Sequence, residues 1–258
     1  MTRSGLQRVF VLGAQLLVVA VLLGLWQAAA PLGWVDPDTL PPFSAVLDTL
    51  WQMLHDRSFL QDIEITGVEV LVAFIVMVPT GLLIGFVIGE NRPLYRTLRG
   101  PLDLLMAMPK ALFLPLFIFV FGIGFAEKVL FSLTLGIFVV ILAGIAAVHS
   151  IPQGLINAAR SMGATKAQIY TRIYLPGMIP LLLNSVRVGL IFTIFGVLVA
   201  EMYVSTHGLG RMIFDAGEAY HLRDMLAGVL LIAVISIALS EMLRRFERLI
   251  RTRRASFS

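Results

Sequence analysis

Twenty uncharged residues, VLVAFIVMVPTGLLIGFVIG, lie between Glu69 and Glu90. About 20 mostly apolar residues are what an α-helix needs to cross the hydrocarbon core of a bilayer. The pattern recurs. No charge occurs between Arg8 and Asp36, and further apolar runs cover residues 111–126, 129–149, 188–200 and 225–240. These runs are too long for buried strands and too apolar all round for surface helices. The composition agrees, with 58% hydrophobic and 14% charged residues against about 25% charged in soluble domains. We therefore predict one all-α membrane domain over residues 1–258. Its six transmembrane helices fall at about residues 9–30, 68–89, 102–122, 129–149, 178–203 and 224–243. The first run is too long for the 7–15-residue core of a signal peptide, so Arg3, Arg8 and Ala28–Ala30 read as the flanks of a retained anchor.

Orientation follows from the basic residues in alternate loops. With the N-terminus inside, the inner segments carry Arg3, Arg8, Arg92, Arg96, Arg99, Arg160, Lys166, Arg172, Arg244, Arg245, Arg248, Arg251, Arg253 and Arg254. The outer ones carry Arg57, Lys128, Arg211 and Arg223. Both termini are predicted in the cytoplasm of a multi-pass plasma-membrane protein. Residues 31–65 form the largest outer segment, broken by Pro31, Pro37, Pro41 and Pro42, with a short amphipathic helix over 44–55. The net charge of +4 reflects this orientation rather than nucleic-acid binding. The arginine-rich tail, 244–254, reads as a stop-transfer flank that also suits anionic lipid.

The inner segment over residues 150–177 is the most informative. Ser150 with Gln153 and Thr165 with Gln168 fit two capping boxes. Gly163 between them suits the left-handed position that ends a helix. The prediction is a cytoplasmic helix-turn-helix. Ile151, Leu155, Ala158, Ala159 and Met162 share one face of its first helix. That stripe either docks a partner or packs on the inner ends of the spans.

Residues 157–176, NAARSMGATKAQIYTRIYLP, resemble the EAA loop of permease subunits in bacterial ATP-binding-cassette importers. The matching residues are Ala158, Ala159, Gly163, Ile173, Leu175 and Pro176, at the motif's spacing, with Asn157 in place of its acidic first residue. Segments 40–46, 107–124, 186–190, 200–202 and 208–210 resemble the importers of sulfonates, taurine, nitrate and vitamin precursors. This resemblance implies a type I importer fold in which residues 150–177 couple to the ATPase. It also implies a cytoplasmic ATPase dimer that binds ATP and Mg, a second permease copy (a homodimer here), an extracytoplasmic solute-binding protein and a small-molecule substrate. The solute it implies is an organic or inorganic anion, or alternatively a heteroaromatic vitamin precursor.

The chain itself has no means of hydrolysing ATP. A P-loop needs Lys directly after Gly, and the three lysines follow Pro109, Glu127 and Thr165. His55, His149, His207 and His221 are scattered without ligand spacing, there is no GxSxG, and cysteine is absent. We expect no catalytic residue, metal or bound cofactor. An ion-driven secondary transporter, the main rival, calls for inverted repeats and midplane carboxylates, and neither is visible. Charges inside spans are costly and mark candidate gate or pathway positions. Arg187 faces the path or snorkels to the inner surface. Lys110 lies close enough to the interface to snorkel. Glu201, beside Gly208-Leu209-Gly210, is expected to brace the outer gate.

Overall fold

The computed structural model describes residues 3–255, with no strand among them. The helices are α1 (Arg3–Ala29), α2 (Phe43–Met53), α3 (Arg57–Glu90), α4 (Arg92–Ala107), α5 (Leu114–Phe121), α6 (Phe125–His149), α7 (Gln153–Ser161), α8 (Lys166–Ile169), α9 (Leu175–Val204), α10 (Leu209–Glu218) and α11 (Leu222–Ala255). A 3-10 turn (Lys110–Phe113) precedes α5, and a π-helical segment (Tyr170–Tyr174) joins α8 to α9. The side chains of Arg3, Arg8, Arg248, Arg251, Arg253 and Arg254 lie outside the described residues, as does the lipid contact expected of the tail.

Four helical stretches are long and apolar enough to cross a membrane: Arg57–Glu90, Phe125–His149, Lys166–Val204 and Leu222–Glu247. The apolar part of α1, Gly13–Ala29, is shorter. The expected third span, 102–122, is not one straight helix. α4 ends at Ala107, and the chain bends by 87° before continuing through the 3-10 turn into α5. Met108 and Pro109 are extended, with ψ of 136° and 92°. The residue before a proline is pushed out of the helical region, and the ring removes a donor. The described residues thus hold four apolar crossings, or five if the bent pair is one, rather than six uninterrupted ones.

The chain forms two compact units, one of Met1–Gln61 with Met212–Ile232 and one of Asp62–Arg211 with Ala233–Ser258. In the first, the Trp26 indole donates to the Pro41 carbonyl at 2.9 Å and its ring meets Phe43 at 5.2 Å. Gln27 both accepts from the Ser44 amide and donates to its hydroxyl. The proline-rich segment is thereby fastened to the end of α1. α2 buries Val46 and leaves Trp51 exposed, which makes it amphipathic as expected.

The second unit is built around α6, packed between α3 and α9 through glycines. A Cβ on Gly85 of α3 would lie 2.5 Å from the Ile141 carbonyl oxygen and 3.1 Å from the Gly144 Cα. One turn to either side, Gly81 faces Val140 and Gly89 faces Val148, each at 2.9 Å. On the other side of α6, a Cβ on Gly196 of α9 would lie 2.6 Å from the Ser132 Cα. Met77 of α3 is fully buried and fills the space left by Gly136 and Gly189. Small residues let helix backbones approach closely, which matters where lipid competes equally well for large apolar side chains. Overpacking a tight contact costs about 1–3 kcal/mol or more. We therefore expect Gly85→Leu to lower the thermal stability of the detergent-solubilised protein markedly. Gly67→Ala, on the same helix but with nothing within 4 Å, should leave it unchanged or slightly raised.

Candidate functional site

Apart from Arg187, inside α9, and Lys110, at the bend after α4, the sequence-predicted residues fall at the two ends of α9. Its first residue, Leu175, closes the 150–177 loop, and Glu201 lies in its last turn. At 1.5 Å per residue the two are separated by about 39 Å along the helix.

At the loop end, Thr165 and Gln168 form the predicted capping box. The Thr165 hydroxyl accepts from the Gln168 amide at 3.3 Å, and the Gln168 side chain accepts from the Thr165 amide at 2.8 Å. Gly163 has φ +80°, the left-handed conformation that ends α7. The other predicted box does not form. Pro152 is the N-cap of α7 and has no side-chain bond, while the Ser150 hydroxyl donates back to the Ala147 carbonyl. Serine can bond locally within the preceding turn as readily as it caps the next.

The predicted stripe divides. Ile151 is buried with Ile156, Ile169, Tyr174 and Met178, and Ala159, Ala164 and Ile173 pack against them. Leu155 and Met162 are 52% and 87% exposed, and Asn157, Ala158 and Leu175 are also exposed. Both readings of the stripe are therefore partly realised: one edge seats the loop on its own chain, and the other is open. Phe86 of α3 packs edge-on against Tyr170 and Tyr174 at 5.8 and 6.3 Å, and the Tyr170 hydroxyl donates to Glu90. These contacts tie the π-helical segment to the end of α3.

At the other end of α9 lies a buried polar cluster. Glu201 is fully buried. One of its oxygens accepts from the Thr66 hydroxyl at 2.6 Å, and the other from the Gly210 amide at 2.7 Å. Thr66 in turn accepts from the Leu209 amide at 2.9 Å, and Asp62 accepts from the Gly208 amide at 2.7 Å. Two carboxylates and one hydroxyl thus satisfy three successive backbone donors at the start of α10. Gly208 has φ +111°, and a Cβ there would overlap the Glu201 carboxylate, so the turn requires glycine.

Beside it, Lys128 of α6 pairs with Glu69 of α3, both buried. The Lys128 ammonium also donates to the Ser205 hydroxyl at 3.2 Å. Glu127 is fully buried in the first turn of α6 and its oxygens have no hydrogen-bond partner. The positive end of the helix dipole favours a carboxylate there. Asp62, Thr66, Glu69, Glu127, Lys128 and Ser205 were not among the predicted site residues. Their only sequence signal is that Glu69 and Lys128 bound charge-free runs.

The other two predicted positions lie apart from this cluster and make local contacts. Arg187 donates to Asn184 one turn back at 2.7 Å. Lys110 sits at the bend after α4, 3.4 Å from the Met106 carbonyl and 5.4 Å from the centre of the Phe138 ring. Among the described residues, no three His, Asp or Glu side chains are grouped to hold a metal ion.

Breaking a buried pair by removing one partner typically costs about 3–5 kcal/mol, whereas removing both is far milder. Lys128→Met should therefore lower the unfolding midpoint in detergent strongly. Adding Glu69→Gln should recover part of the loss, as a double-mutant cycle would show.

Residues 77–255 match the family described as "Binding-protein-dependent transport system inner membrane component". The chain is 34% identical over 240 residues to the taurine transport system permease protein TauC of Escherichia coli (strain K12), covering 89% of this chain and 86% of that protein. It is 28% identical over 230 residues to the riboflavin transport system permease protein RibX of Chloroflexus aurantiacus, covering 89% and 86%. Among solved structures, an inward-facing MetNI methionine ABC transporter matches with TM-score 0.61 at 22% identity, over 84% of this chain and 99% of that one. A bacterial ABC transporter involved in import of the acidic polysaccharide alginate matches with TM-score 0.66 at 15% identity, over 96% and 98%. At these identities the structural likeness establishes the fold alone.

Proposed function

This chain belongs to the family of binding-protein-dependent transport system inner membrane components and is an ABC importer permease; from that premise we propose that its solute is a small organic anion of the sulfonate or taurine kind. The identity to the taurine permease supports that choice, and two basic side chains, Arg187 within α9 and Lys110 at the bend after α4, fit the charge of such a solute. We assign both to the translocation path, where they offset the anion's charge without holding it tightly. Inorganic anions such as nitrate and the vitamin precursors are the competing cargoes. Uptake of labelled taurine into proteoliposomes, challenged by excess alkanesulfonate, nitrate or riboflavin, separates them.

The observation that carries the mechanism is the loop of residues 150–177, a glycine-hinged pair of short helices seated on one edge and open on the other. A permease without a nucleotide site must receive its energy from a partner. In this reading Leu155 and Met162, with Asn157, Ala158 and Ala159, meet a cytoplasmic ATPase dimer that holds ATP and Mg. Gly163 sets the angle of the contact, and Ile173, Leu175 and Pro176 pass its movement into α9. A second copy of the chain completes the path, and an extracytoplasmic binding protein delivers the solute at the Glu201 end, where Glu201 braces the gate. Both termini then lie in the cytoplasm.

Two tests follow. Cysteine is absent, so Lys166→Cys gives a single label site. An impermeant maleimide should label it in inverted vesicles and not in intact cells, and labelling of intact cells would overturn the topology. A β-branched residue at a left-handed position costs about 1–3 kcal/mol, so Gly163→Val should tilt α7, and Ala159→Asp should put a charge beneath the contact, against the Ile156–Tyr174 cluster that seats α7. Both should insert normally yet lose the ATPase on co-purification, or uncouple hydrolysis from uptake. Normal recovery and coupling in both would remove the loop from energy transfer.

A further inference from the structure

Ser205 is the first residue after α9, and the segment it opens has an exposed tip on a buried base. Tyr203, Thr206 and His207 are exposed, whereas Gly208, Leu209 and Gly210 are buried. The base is held by Asp62, Thr66 and Glu201, as described above. The tip is held separately. The Ser205 hydroxyl accepts from the Lys128 ammonium at 3.2 Å and donates to the His207 carbonyl at 2.5 Å, while the His207 amide points back at the same oxygen from 3.3 Å. Lys128 is itself fixed by its ion pair with Glu69 and carries the adjacent, unpartnered Glu127. The buried charged groups of this end are Glu69, Glu127, Glu201 and Lys128, and of these Lys128 is the cation. That cation is aimed at the tip through one hydroxyl.

We propose that Lys128 and Ser205 are positioning residues that join the 205–207 tip to α6 and, through Glu69, to α3, so that a load placed on the tip by the docked solute-binding protein reaches α3, α6 and α9 together. This deepens the importer reading and rests on it. Without the contact, the 205–207 tip is held only at its two chain ends, by α9 and by the Gly208 base, and displacement at the tip is absorbed by rotation about the backbone of residues 205–207. With the contact, the tip moves only if Lys128 moves, and Lys128 cannot move without α6 and the Glu69 pair on α3. The Glu201 bonds to Gly210 and Thr66 act on the base of the segment and do not substitute for it.

Lys128 variants threaten folding, so the test uses Ser205, whose loss leaves the buried ion pair intact. The permease, its ATPase and its binding protein are reconstituted in proteoliposomes, and ATP hydrolysis is measured with and without solute-loaded binding protein. In Ser205→Ala, ATPase recovery and basal hydrolysis stay at the parent's level. The increment due to loaded binding protein falls about tenfold, as loss of one hydrogen bond to a charged group would give. Ser205→Thr, which keeps the hydroxyl, restores most of it. An unchanged increment in Ser205→Ala overturns the proposal, and so does an equal fall of basal and stimulated rates, which marks a merely structural role. If the parent protein shows no solute-dependent hydrolysis at all, the importer reading itself fails and the inference goes with it.

Discussion

The arrangement of the larger unit depends on the absence of side chains at a few positions of α3, α6 and α9. Gly81, Gly85 and Gly89 recur every four residues on α3 and so fall on one face of the helix. That face meets Val140, Ile141, Gly144 and Val148 of α6 with backbone nearly touching backbone. In a bilayer, apolar side chains gain little by leaving lipid for another helix. Dispersion contacts and shape then decide which helices associate, and the gap left by a missing Cβ is what makes the fit specific. Met77, between Gly136 and Gly189, extends the same logic to a third helix. The centre of the unit is consequently tight, its buried polar groups there are hydroxyls such as Thr193, and its buried charges lie toward the Glu201 end.

That placement is why the two ends differ. At the loop end the polar contacts include a capping box and a glycine turn, which are local, and two that reach α3, the Tyr170 hydroxyl on Glu90 and the His149 ring on the Gly89 carbonyl. The loop is held chiefly by an apolar cluster around Ile156 and Tyr174. At the Glu201 end the polar groups are numerous, directional and buried. A hydrogen bond in a low-dielectric setting is worth more and tolerates misalignment less. One end of α9 is seated on a greasy surface, and the other is pinned at defined points.

Much of this was readable from the sequence, for identifiable reasons. The charge-free runs gave the long helices because a bilayer leaves a spanning segment little choice of composition. Thr165, Gln168 and Gly163 gave the second half of the loop because capping chemistry and left-handed glycine are local. The failures are non-local. Ser150 looked like a cap but bonded to Ala147, since Pro152 already starts α7. Pro109 was visible, yet the 87° bend depends on how α4 and α5 each pack. Glu69 and Lys128 served only as markers of where apolar runs stop, and Lys128 counted as a charge in an outer loop. Both are buried and paired, because the start of α6 lies against the body of α3, and residues 59 positions apart in sequence meet there. A charge at the edge of an apolar run faces water only if no other helix lies beside it.

The positions of the breaks in the helix ladder complete the mechanical picture. Between Pro180 and Val204, α9 contains no further proline, and along this stretch Gly189 and Gly196 lock it against α6. Its irregularities are collected at the loop end. The π-helical turn over Tyr170–Tyr174 leads directly into Leu175 and Pro176, and Pro180 follows one turn later. A π-helical turn within an otherwise α-helical run is a place where the register is already disturbed, and a proline in a helix interior removes one backbone bond and introduces a bend. Compliance is therefore concentrated within ten residues of the loop, and stiffness in the remainder. The bend at Tyr170–Pro180 thus separates the loop from the regular part of α9. Past that point α9 runs without a further proline or π-helical turn to the buried Glu201 hydrogen bonds.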